Sequence, residues 1–283
     1  GRSSAVGLEG LRALLASRQR ALGRASGAAS ASPPLSVGIV GFDRVGKRSV
    51  HRAISKAEID GVTLLPLDVV NPAQIKETAA KALALGPVDV VFNNAGYGLA
   101  GAFEGATDEQ LQTQLNTNLL GVMRVTQAFL PALRAQKSGT ILTTTSIGGL
   151  VTFPFNSVYH ATKWALEGWS ESLAYELAPF GIRVKTLAPG GIATDFASRS
   201  LVMTPHPAYM EAIGKTMKAF MDPERRSGGS TAEKIAEEAY AAVTDTSDRV
   251  TFVAGDDARA TYGQRLAAGV EAFRKGIRER FLG

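Results

Sequence analysis

The sequence predicts an α/β fold: a doubly wound parallel sheet with helices on both faces, in a single domain that spans residues 1–283. Two observations favour it. From residue 61 onward, short runs rich in β-branched residues alternate with longer segments that carry apolar residues at helical spacing. The short runs are apolar throughout, as parallel strands buried on both faces must be, and the longer segments can serve as crossovers between them.

The predicted elements follow in order along the chain. The first helix has a clear start, because Asn71 is a suitable N-cap and Pro72 fits the first helical position. A loop over 189–196 follows one strand, and the variable residues 195–230 are expected to form a lid over a ligand. The predicted strands are 61–67, 88–92, 139–145, 182–187 and 250–253; the predicted helices are 71–85, 107–136, 157–179, 207–221, 231–244 and 257–275.

The composition is that of an ordinary soluble globular protein, with 45% hydrophobic and 20% charged residues. There is no cysteine, which excludes disulfides and thiolate chemistry, and the three histidines lack metal-ligand spacing. We therefore expect no metal site. No apolar run approaches the roughly eighteen residues of a membrane span. We expect no membrane association and a cytoplasmic location.

Positive charge is concentrated near the N-terminus. The net charge is +5, and residues 1–56 hold ten of the 31 basic residues but two of the 26 acidic ones. The rest of the chain is slightly acidic, which argues against a nucleic-acid partner. Residues 23–34 are a low-complexity run of small residues and are expected to form a loop. We expect residues 27–57 to be an atypical inserted or disordered segment.

A glycine-rich stretch within that segment partly matches a phosphate-binding loop. Gly41 is followed by Gly46 and Lys47 at the spacing G-x-x-x-x-G-K. That loop requires Ser or Thr directly after the lysine. Arg48 stands there instead and Ser49 comes one position late, so the sequence does not predict a P-loop.

Three polar residues have a spacing that suits acid–base chemistry. Tyr159 and Lys163 are four residues apart in a predicted helix, so they project from the same face. A neighbouring ammonium favours the phenolate and brings a tyrosine pKa toward the neutral range. Ser146 lies just past a strand end, where ligands bind in open parallel sheets. The set suits proton transfer to a carbonyl oxygen while hydride arrives from a cofactor; a surface Tyr–Lys pair with a turn serine is the alternative.

Several motifs together resemble the short-chain dehydrogenase/reductase family, which has a Rossmann-like fold. Their order and spacing agree with that family over residues 61–283, and each follows a predicted strand or lies on a predicted helix. The motifs are NNAG (93–96), NTNLLG (116–121), TTTSIGG (143–149), YHATK (159–163) and PGGIATDF (189–196).

The resemblance implies a proton relay of four catalytic residues. Tyr159 would be the acid/base, and Lys163 would lower its pKa and bind the nicotinamide ribose. Ser146 would orient the substrate carbonyl. Asn118 would hold a water molecule that connects Lys163 to solvent.

The resemblance also implies a cofactor cleft. Its Asn-Asn-Ala-Gly element would line the cleft, its Leu-Asp-Val element would lie beside the adenine, and its Pro-Gly loop would contact the nicotinamide carboxamide. Tyr159 and Lys163 would contribute as well. The further residues are Asp68, Val69, Asn94, Ala95, Gly96, Pro189, Gly190, Ile192 and Thr194.

The N-terminal part departs from the family pattern, which begins with a strand and a T-G-x-x-x-G-x-G turn. One alignment places Gly1, Ser3, Ser4 and Gly7 in register with that turn, with Ala5 in place of the middle glycine. The first strand is then absent, and the extra methyl group hinders close approach to phosphates.

A second alignment takes 37–46 as the first strand and turn. It leaves little room for a second strand before Asp68. In the first alignment, residues 36–40 are expected to substitute partly for the absent central strand by pairing in the sheet. Both alignments remain open. In the first, Arg24 lies where the family reads the adenosine ribose, which favours NADP, with NAD as the alternative.

The predicted function is hydride transfer between NAD(P) and a small-molecule carbonyl or secondary alcohol. The alternative is a non-catalytic relative that has lost dinucleotide binding, favoured by the altered glycine turn. By resemblance to the family, the predicted partner is a second copy of the chain, in a homodimer or homotetramer.

Overall fold

A five-stranded parallel sheet is the centre of the fold. The structure, a computed structural model, describes residues 37–40, 63, 65–191, 201–222 and 229–283. The sheet has the order β1-β2-β4-β5-β7, and a separate pair joins β3 to β6. The strands are β1 (Val37–Val40), β2 (Val90–Asn93), β3 (Gly98–Gly101), β4 (Gly139–Thr144), β5 (Ile182–Pro189), β6 (Leu201–Thr204) and β7 (Thr251–Ala254).

Helices cover both faces of this sheet, as the sequence predicts. The described helices are α1 (Pro72–Ala84), α2 (Asp108–Leu115), α3 (Gly121–Gln136), α4 (Ser157–Leu177), α5 (Met210–Met221), α6 (Ala232–Thr244), α7 (Asp256–Ala268) and α8 (Val270–Leu282). On one face, Val91 and Ile141 of the sheet pack in one buried cluster with side chains of α1, α3 and α4. On the other, Val90 and Leu142 pack against α6. Neighbouring strand residues therefore point to opposite faces, and both faces are buried.

Local capping explains where the first helices begin. The Asn71 side chain accepts hydrogen bonds from Ala73 N and Gln74 N, both at 3.1 Å, and Pro72 fills the first position of α1. The predicted helix 107–136 is interrupted by a π-helical turn, Asn116–Leu120, between α2 and α3. Such turns insert an extra residue into a helix and often occur at functional sites.

Two predicted elements are wrong. The run 61–67 is not a strand at its described residues, 63 and 65–67. Pro66 lacks an N–H donor, and its carbonyl accepts a hydrogen bond from Thr78 Oγ1 of α1 at 2.8 Å, so this segment lies against a helix.

The predicted closing helix 257–275 is in fact two helices, α7 and α8. Gly269 separates them with a φ of +79°, a conformation that ends a helix and that favours glycine. In α8, Phe273 and Phe281 are buried. The ring of Phe281 contacts Phe220 of α5, with the ring centroids 5.0 Å apart.

The N-terminal strand pairs with the strand that leads into the site. Val37–Val40 runs parallel to Val90–Asn93, with Val37 opposite Val90. Residues 36–40 were expected to pair in the sheet in place of an absent central strand, and residues 37–40 pair with β2. β1 lies at the edge of the described sheet, opposite β7. The remainder of 27–57 lies outside the described residues.

The pair β3–β6 was not predicted. It is parallel, with Gly98 opposite Leu201 and Gly101 opposite Thr204, and it ties part of the segment 195–230 to the loop that follows β2. Gly101 N donates to Phe155 O at 2.7 Å. The main chain therefore connects this pair to the residues just before α4.

Gly101 is the position where β3 tolerates no side chain. Its φ is +129°, and an added Cβ would lie 2.3 Å from Thr204 O. We expect Gly101→Ala to lower the free energy of unfolding by about 2–4 kcal/mol, because strain and a backbone clash combine. Urea unfolding would measure the change.

The matched control for this substitution is Gly214→Ala. Gly214 lies inside α5, and nothing lies within 4 Å of an added Cβ. Alanine there should stabilise the protein by up to about 1 kcal/mol. A Gly101→Ala protein as stable as the wild type would contradict the close approach of β3 and β6.

Candidate active site

The site lies at the carboxyl ends of β2 and β4. The loop after β2 carries Asn94 and Gly96, and the turn after β4 carries Ser146. Thr144 Oγ1 donates to Asn94 Oδ1 at 2.7 Å, which joins the two strand ends. In open parallel sheets this edge is the usual location of ligand sites.

Helix α4 brings Tyr159 and Lys163 to this edge. The Lys163 side chain is only 4% exposed, and Nζ donates to Thr144 O at 2.8 Å. Nζ also lies 5.7 Å from the centroid of the Tyr159 ring. The two residues face the same side, as their spacing of four predicts.

Burial dominates the electrostatics of both residues. It raises the pKa of Tyr159, and a hydrogen bond with Ser146 opposes that shift. It lowers the pKa of Lys163 to about 8, and the negative charge of Glu167 opposes it. The sequence predicts a lowered tyrosine pKa, but the net shift in the structure is upward because the low-dielectric surroundings disfavour the phenolate.

Ser146 is fixed by the turn that it begins. Its Oγ accepts a hydrogen bond from Gly148 N at 3.0 Å and caps the short helical turn Ile147–Gly149. Together with the hydrogen bond to Tyr159, this places the hydroxyl and the phenol side by side. A carbonyl oxygen could accept hydrogen bonds from both groups.

His160 supports this arrangement, and the sequence analysis missed it. It is buried, its Nδ1 donates to Gly148 O at 2.6 Å, and its Nε2 accepts from Phe153 N at 3.0 Å. Burial lowers the pKa of the imidazole, so it is neutral with the proton on Nδ1. The ring thus ties the turn that carries Ser146 to the helix that carries Tyr159.

Asn118 lies in the π-helical turn and is fully buried. Its Nδ2 donates to Tyr97 O at 2.8 Å and to Thr162 Oγ1 at 3.3 Å, and its Oδ1 accepts from Tyr97 N at 3.0 Å. The amide therefore holds both backbone groups of Tyr97. Its side chain positions the loop after β2, which is a different task from the water binding that the family resemblance implies.

Gly96 fits closely between the relay residues. An added Cβ would lie 3.3 Å from Asn118 Oδ1 and 3.7 Å from Lys163 Nζ. Asn94, two residues earlier, is exposed at the strand end, whereas Ala95 is buried. Asn94 and Gly96 therefore lie where a bound molecule would reach Lys163.

The other predicted cofactor residues lie further away or have structural contacts. Val69 belongs with Ala95 to the buried cluster between the sheet and α1. Asp68 Oδ1 accepts from Val70 N at 3.1 Å, in the turn that leads into α1.

Pro189 ends β5, and Gly190 follows it near the start of α7. Gly190 N donates to Ala254 O at 3.1 Å, and Gly191 N donates to Asp257 Oδ2 at 2.7 Å. Asp257, which the sequence analysis missed, therefore holds this loop. The remaining predicted cofactor residues lie outside the described residues: Gly1, Ser3, Ser4, Gly7, Arg24, Ile192 and Thr194.

The described residues contain neither a metal-binding group nor a membrane-spanning helix. No group of three or more His, Asp or Glu side chains there could hold a metal ion. No described helix combines the length and the hydropathy that crossing a bilayer requires.

The comparisons with known proteins agree with this geometry. A family model described as short chain dehydrogenase matches residues 13–203. An uncharacterized oxidoreductase of Schizosaccharomyces pombe is 35% identical over 201 residues, which cover 71% of this chain and 84% of that protein. A solved short-chain dehydrogenase from Streptomyces avermitilis is 30% identical, with a TM-score of 0.72, and the match covers 99% of this chain and 93% of that chain.

An alcohol dehydrogenase from the archaeon Thermococcus sibiricus, solved in complex with 5-hydroxy-NADP, is 26% identical. Its TM-score is 0.54, and the match covers 67% of this chain and 72% of that chain. The family model alone spans more than half of this sequence, and the described parts of the motifs that suggested the family lie at one edge of the sheet. The chain belongs to the short-chain dehydrogenase family of oxidoreductases.

Proposed function

We propose that the protein is an NADP-dependent cytoplasmic oxidoreductase that interconverts a small carbonyl compound and its secondary alcohol, with NAD as the alternative cofactor. The observation that carries this proposal is the meeting of Tyr159, Ser146 and Lys163 at one strand edge. The phenol is hydrogen-bonded to the hydroxyl, and a buried ammonium lies beside its ring. These are a proton donor, an orienting group and a positive charge within reach of one substrate oxygen.

The residues around Lys163 fit a nicotinamide dinucleotide. Among the described residues, Thr144 O is the acceptor that hydrogen-bonds Nζ, which leaves two of the three ammonium donors for ribose hydroxyls. Gly96 and the exposed Asn94 line the approach to them. The NADP analogue in the Thermococcus relative supports the choice of cofactor. When bound, the dinucleotide supplies or accepts the hydride.

The protein's own residues account for the proton. In reduction, Ser146 Oγ and Tyr159 Oη bind the substrate carbonyl oxygen, and Tyr159 gives its proton to that oxygen as the carbonyl carbon receives hydride. Lys163 stabilises the resulting phenolate by its charge. The raised pKa of Tyr159 keeps the phenol protonated at neutral pH, which favours the acid role needed in reduction.

The first experiment is a titration of the purified protein with NADPH and then with NADH, followed by nicotinamide fluorescence. We expect micromolar binding with a preference for NADPH, and turnover in a subsequent screen of carbonyl compounds. A folded protein that binds neither dinucleotide would overturn the proposal. It would favour the non-catalytic alternative, which Ala5 suggests under the first N-terminal alignment.

We propose in addition that residues 195–230 cover the substrate and that the protein is a homodimer or homotetramer. The pairing of β6 with β3 supports the first point, because it holds 201–204 beside the loop that follows β2. Exposed apolar side chains on α2 and α4, including Leu115, Trp164 and Tyr175, support the second. Light scattering of the purified protein measures the mass of the assembly.

A further inference from the structure

A partly buried carboxyl group lies one helical turn beyond Lys163. Glu167 is on α4, and its carboxyl oxygens accept hydrogen bonds from three threonine hydroxyls. Thr145 Oγ1 lies 2.5 Å from Oε1, Thr186 Oγ1 lies 2.9 Å from Oε2, and Thr251 Oγ1 lies 3.1 Å from Oε2. The three threonines come from the end of β4, from β5 and from β7, so the carboxyl group is bound across three neighbouring strands.

The position of this carboxyl group is energetically unfavourable for its charged form. Burial raises the pKa of Glu167, while the three hydroxyls and the charge of Lys163 lower it in part. An apolar side chain between α4 and the sheet would avoid this cost, since a buried ionisable group must recover its lost hydration from its partners. The presence of Glu167 at this position therefore indicates a role beyond packing.

The strand end that binds Glu167 also binds Lys163. Thr144 O accepts from Lys163 Nζ, and the next residue, Thr145, binds Glu167. The turn that carries Ser146 packs on the same part of the helix. A Cβ added to Gly149 would lie 2.9 Å from Lys163 O and 3.1 Å from Glu167 Cγ. Two adjacent threonines, Thr144 and Thr145, therefore fix the position of α4 along β4 beside the relay residues.

We propose that Glu167 is a positioning residue for the relay: its carboxylate, anchored by threonines of three strands, is the partly buried counter-charge that keeps Lys163 in its ammonium form. This inference rests on the proposed oxidoreductase function for its catalytic meaning. The effect of the Glu167 charge on Lys163 can be tested without an activity measurement.

The other groups near the pair do not supply this charge. Tyr159, on the same helix, is a neutral phenol at neutral pH, and Asn118 and Thr144 present an amide and a carbonyl. Lys185 of β5 precedes Thr186 and points to the opposite face, where Nζ lies 3.0 Å from Asp245 Oδ1. Among the described residues, Glu167 is the carboxylate whose charge acts on Lys163.

The direction of the effect on the pKa of Lys163 follows from the negative charge of Glu167. A negative group nearby stabilises the ammonium and raises its pKa, whereas burial lowers it. Without the carboxylate, burial acts alone, and the pKa of Lys163 should fall below about 8. Lys163 would then lose its proton within the neutral range, and the ammonium that assists Tyr159 would be absent at lower pH.

The test replaces Glu167 by glutamine, which keeps the shape and removes the charge. Its amide oxygen can accept from Thr186 and Thr251, and its amide nitrogen can donate to Thr145 Oγ1. The matched control is Glu171→Gln, one turn further along the same helix at an exposed position. With ¹³C-labelled lysine, the chemical shift of Lys163 Cε is followed against pH, and Lys163→Met assigns the signal. We expect Glu167→Gln to lower the pKa of Lys163 by about one unit. Glu167→Asp, which retains the charge, and Glu171→Gln should leave it near the wild-type value.

Equal pKa values for Lys163 in the two glutamine variants would overturn the proposal. If Glu167→Gln fails to fold, the wild type decides: the ¹³C shift of the Glu167 carboxyl must show a second step as Lys163 titrates near pH 8, and a single step contradicts coupling.

Activity then separates the two proposals. In an active wild type, the basic limb of kcat against pH moves down in Glu167→Gln by the same shift, with the KM for substrate little changed. An inactive wild type refutes the proposed function and leaves the lysine titration to judge Glu167.

Discussion

Tyr159→Phe is expected to lower kcat by about 10²–10⁴-fold, the range that general acid catalysis contributes. Phenylalanine keeps the ring but removes the hydroxyl that bonds to Ser146 and that would protonate the substrate oxygen. Dinucleotide affinity should change little, because Lys163 keeps its bond to Thr144. Steady-state kinetics with NADPH and a carbonyl substrate, together with fluorescence titration, measure both quantities.

The control for this variant is Tyr175→Phe on the same helix, where the side chain is 75% exposed. It should match the wild type in rate and stability. Turnover by Tyr159→Phe at the wild-type rate would refute the assignment of the acid. A fall in dinucleotide binding equal to the fall in rate would point instead to a binding role for the phenol.

Asn118→Ala is expected to reduce stability and activity together. The substitution removes the amide oxygen that accepts from Tyr97 N, while Tyr97 O keeps its hydrogen bond from Gln114 Nε2 at 3.0 Å. A buried donor that loses its partner costs about 1–3 kcal/mol, so the free energy of unfolding should fall by about that amount. The loop that carries Gly96 would lose its support beside Lys163, and dinucleotide affinity should weaken at least tenfold. Urea unfolding and NADPH titration measure the two effects.

Asn116→Ala is the control for Asn118→Ala. It tests whether any alanine in the π-helical turn lowers stability. Asn116 lies in the same turn, and its side chain makes one long contact, 3.5 Å to Arg124. We expect a change within about 0.5 kcal/mol, as for most substitutions away from buried networks. Equal losses in both variants would mean that the turn tolerates no alanine, and that the contacts to Tyr97 are not the cause.

The relay could be predicted from sequence because its spacing is a property of a helix. Residues four apart in a helix, such as Tyr159 and Lys163, share a face. A serine that follows a parallel strand lies at the carboxyl edge of the sheet. Glu167 continues the same spacing, but its partners, such as Thr186, lie on strands far along the chain. Local periodicity gives no register between a helix and the strands beneath it, so this contact could not be predicted.

The direction of the Tyr159 shift shows a second limit. A sequence identifies the neighbouring ammonium but not the burial of the phenol, and burial outweighs the other effect. The pair β3–β6 escaped prediction because Gly98–Gly101 has the composition of a loop and its partner lies about a hundred residues away. The run 61–67 has the composition of a strand, but a strand also needs a neighbouring backbone to bond.

The helix break at Gly269 could have been predicted, since an isolated glycine near the end of a periodic segment is a common stop signal. The neutral tautomer of His160 could not be predicted from the sequence. Its two partners, Gly148 and Phe153, precede it in a turn whose path no local pattern reveals.

The pairing of β3 with β6 has a consequence for how such a protein can change its substrate. The pairing runs through main-chain groups, and Leu201 and Val202 are only partly buried while Met203 is 37% exposed. Attachment of this segment therefore depends little on which side chains it carries, apart from Gly101 and Thr204. If residues 195–230 cover the substrate as proposed, mutation can alter the side chains of this segment while its main-chain attachment to β3 persists, so selectivity can diverge without a new fold.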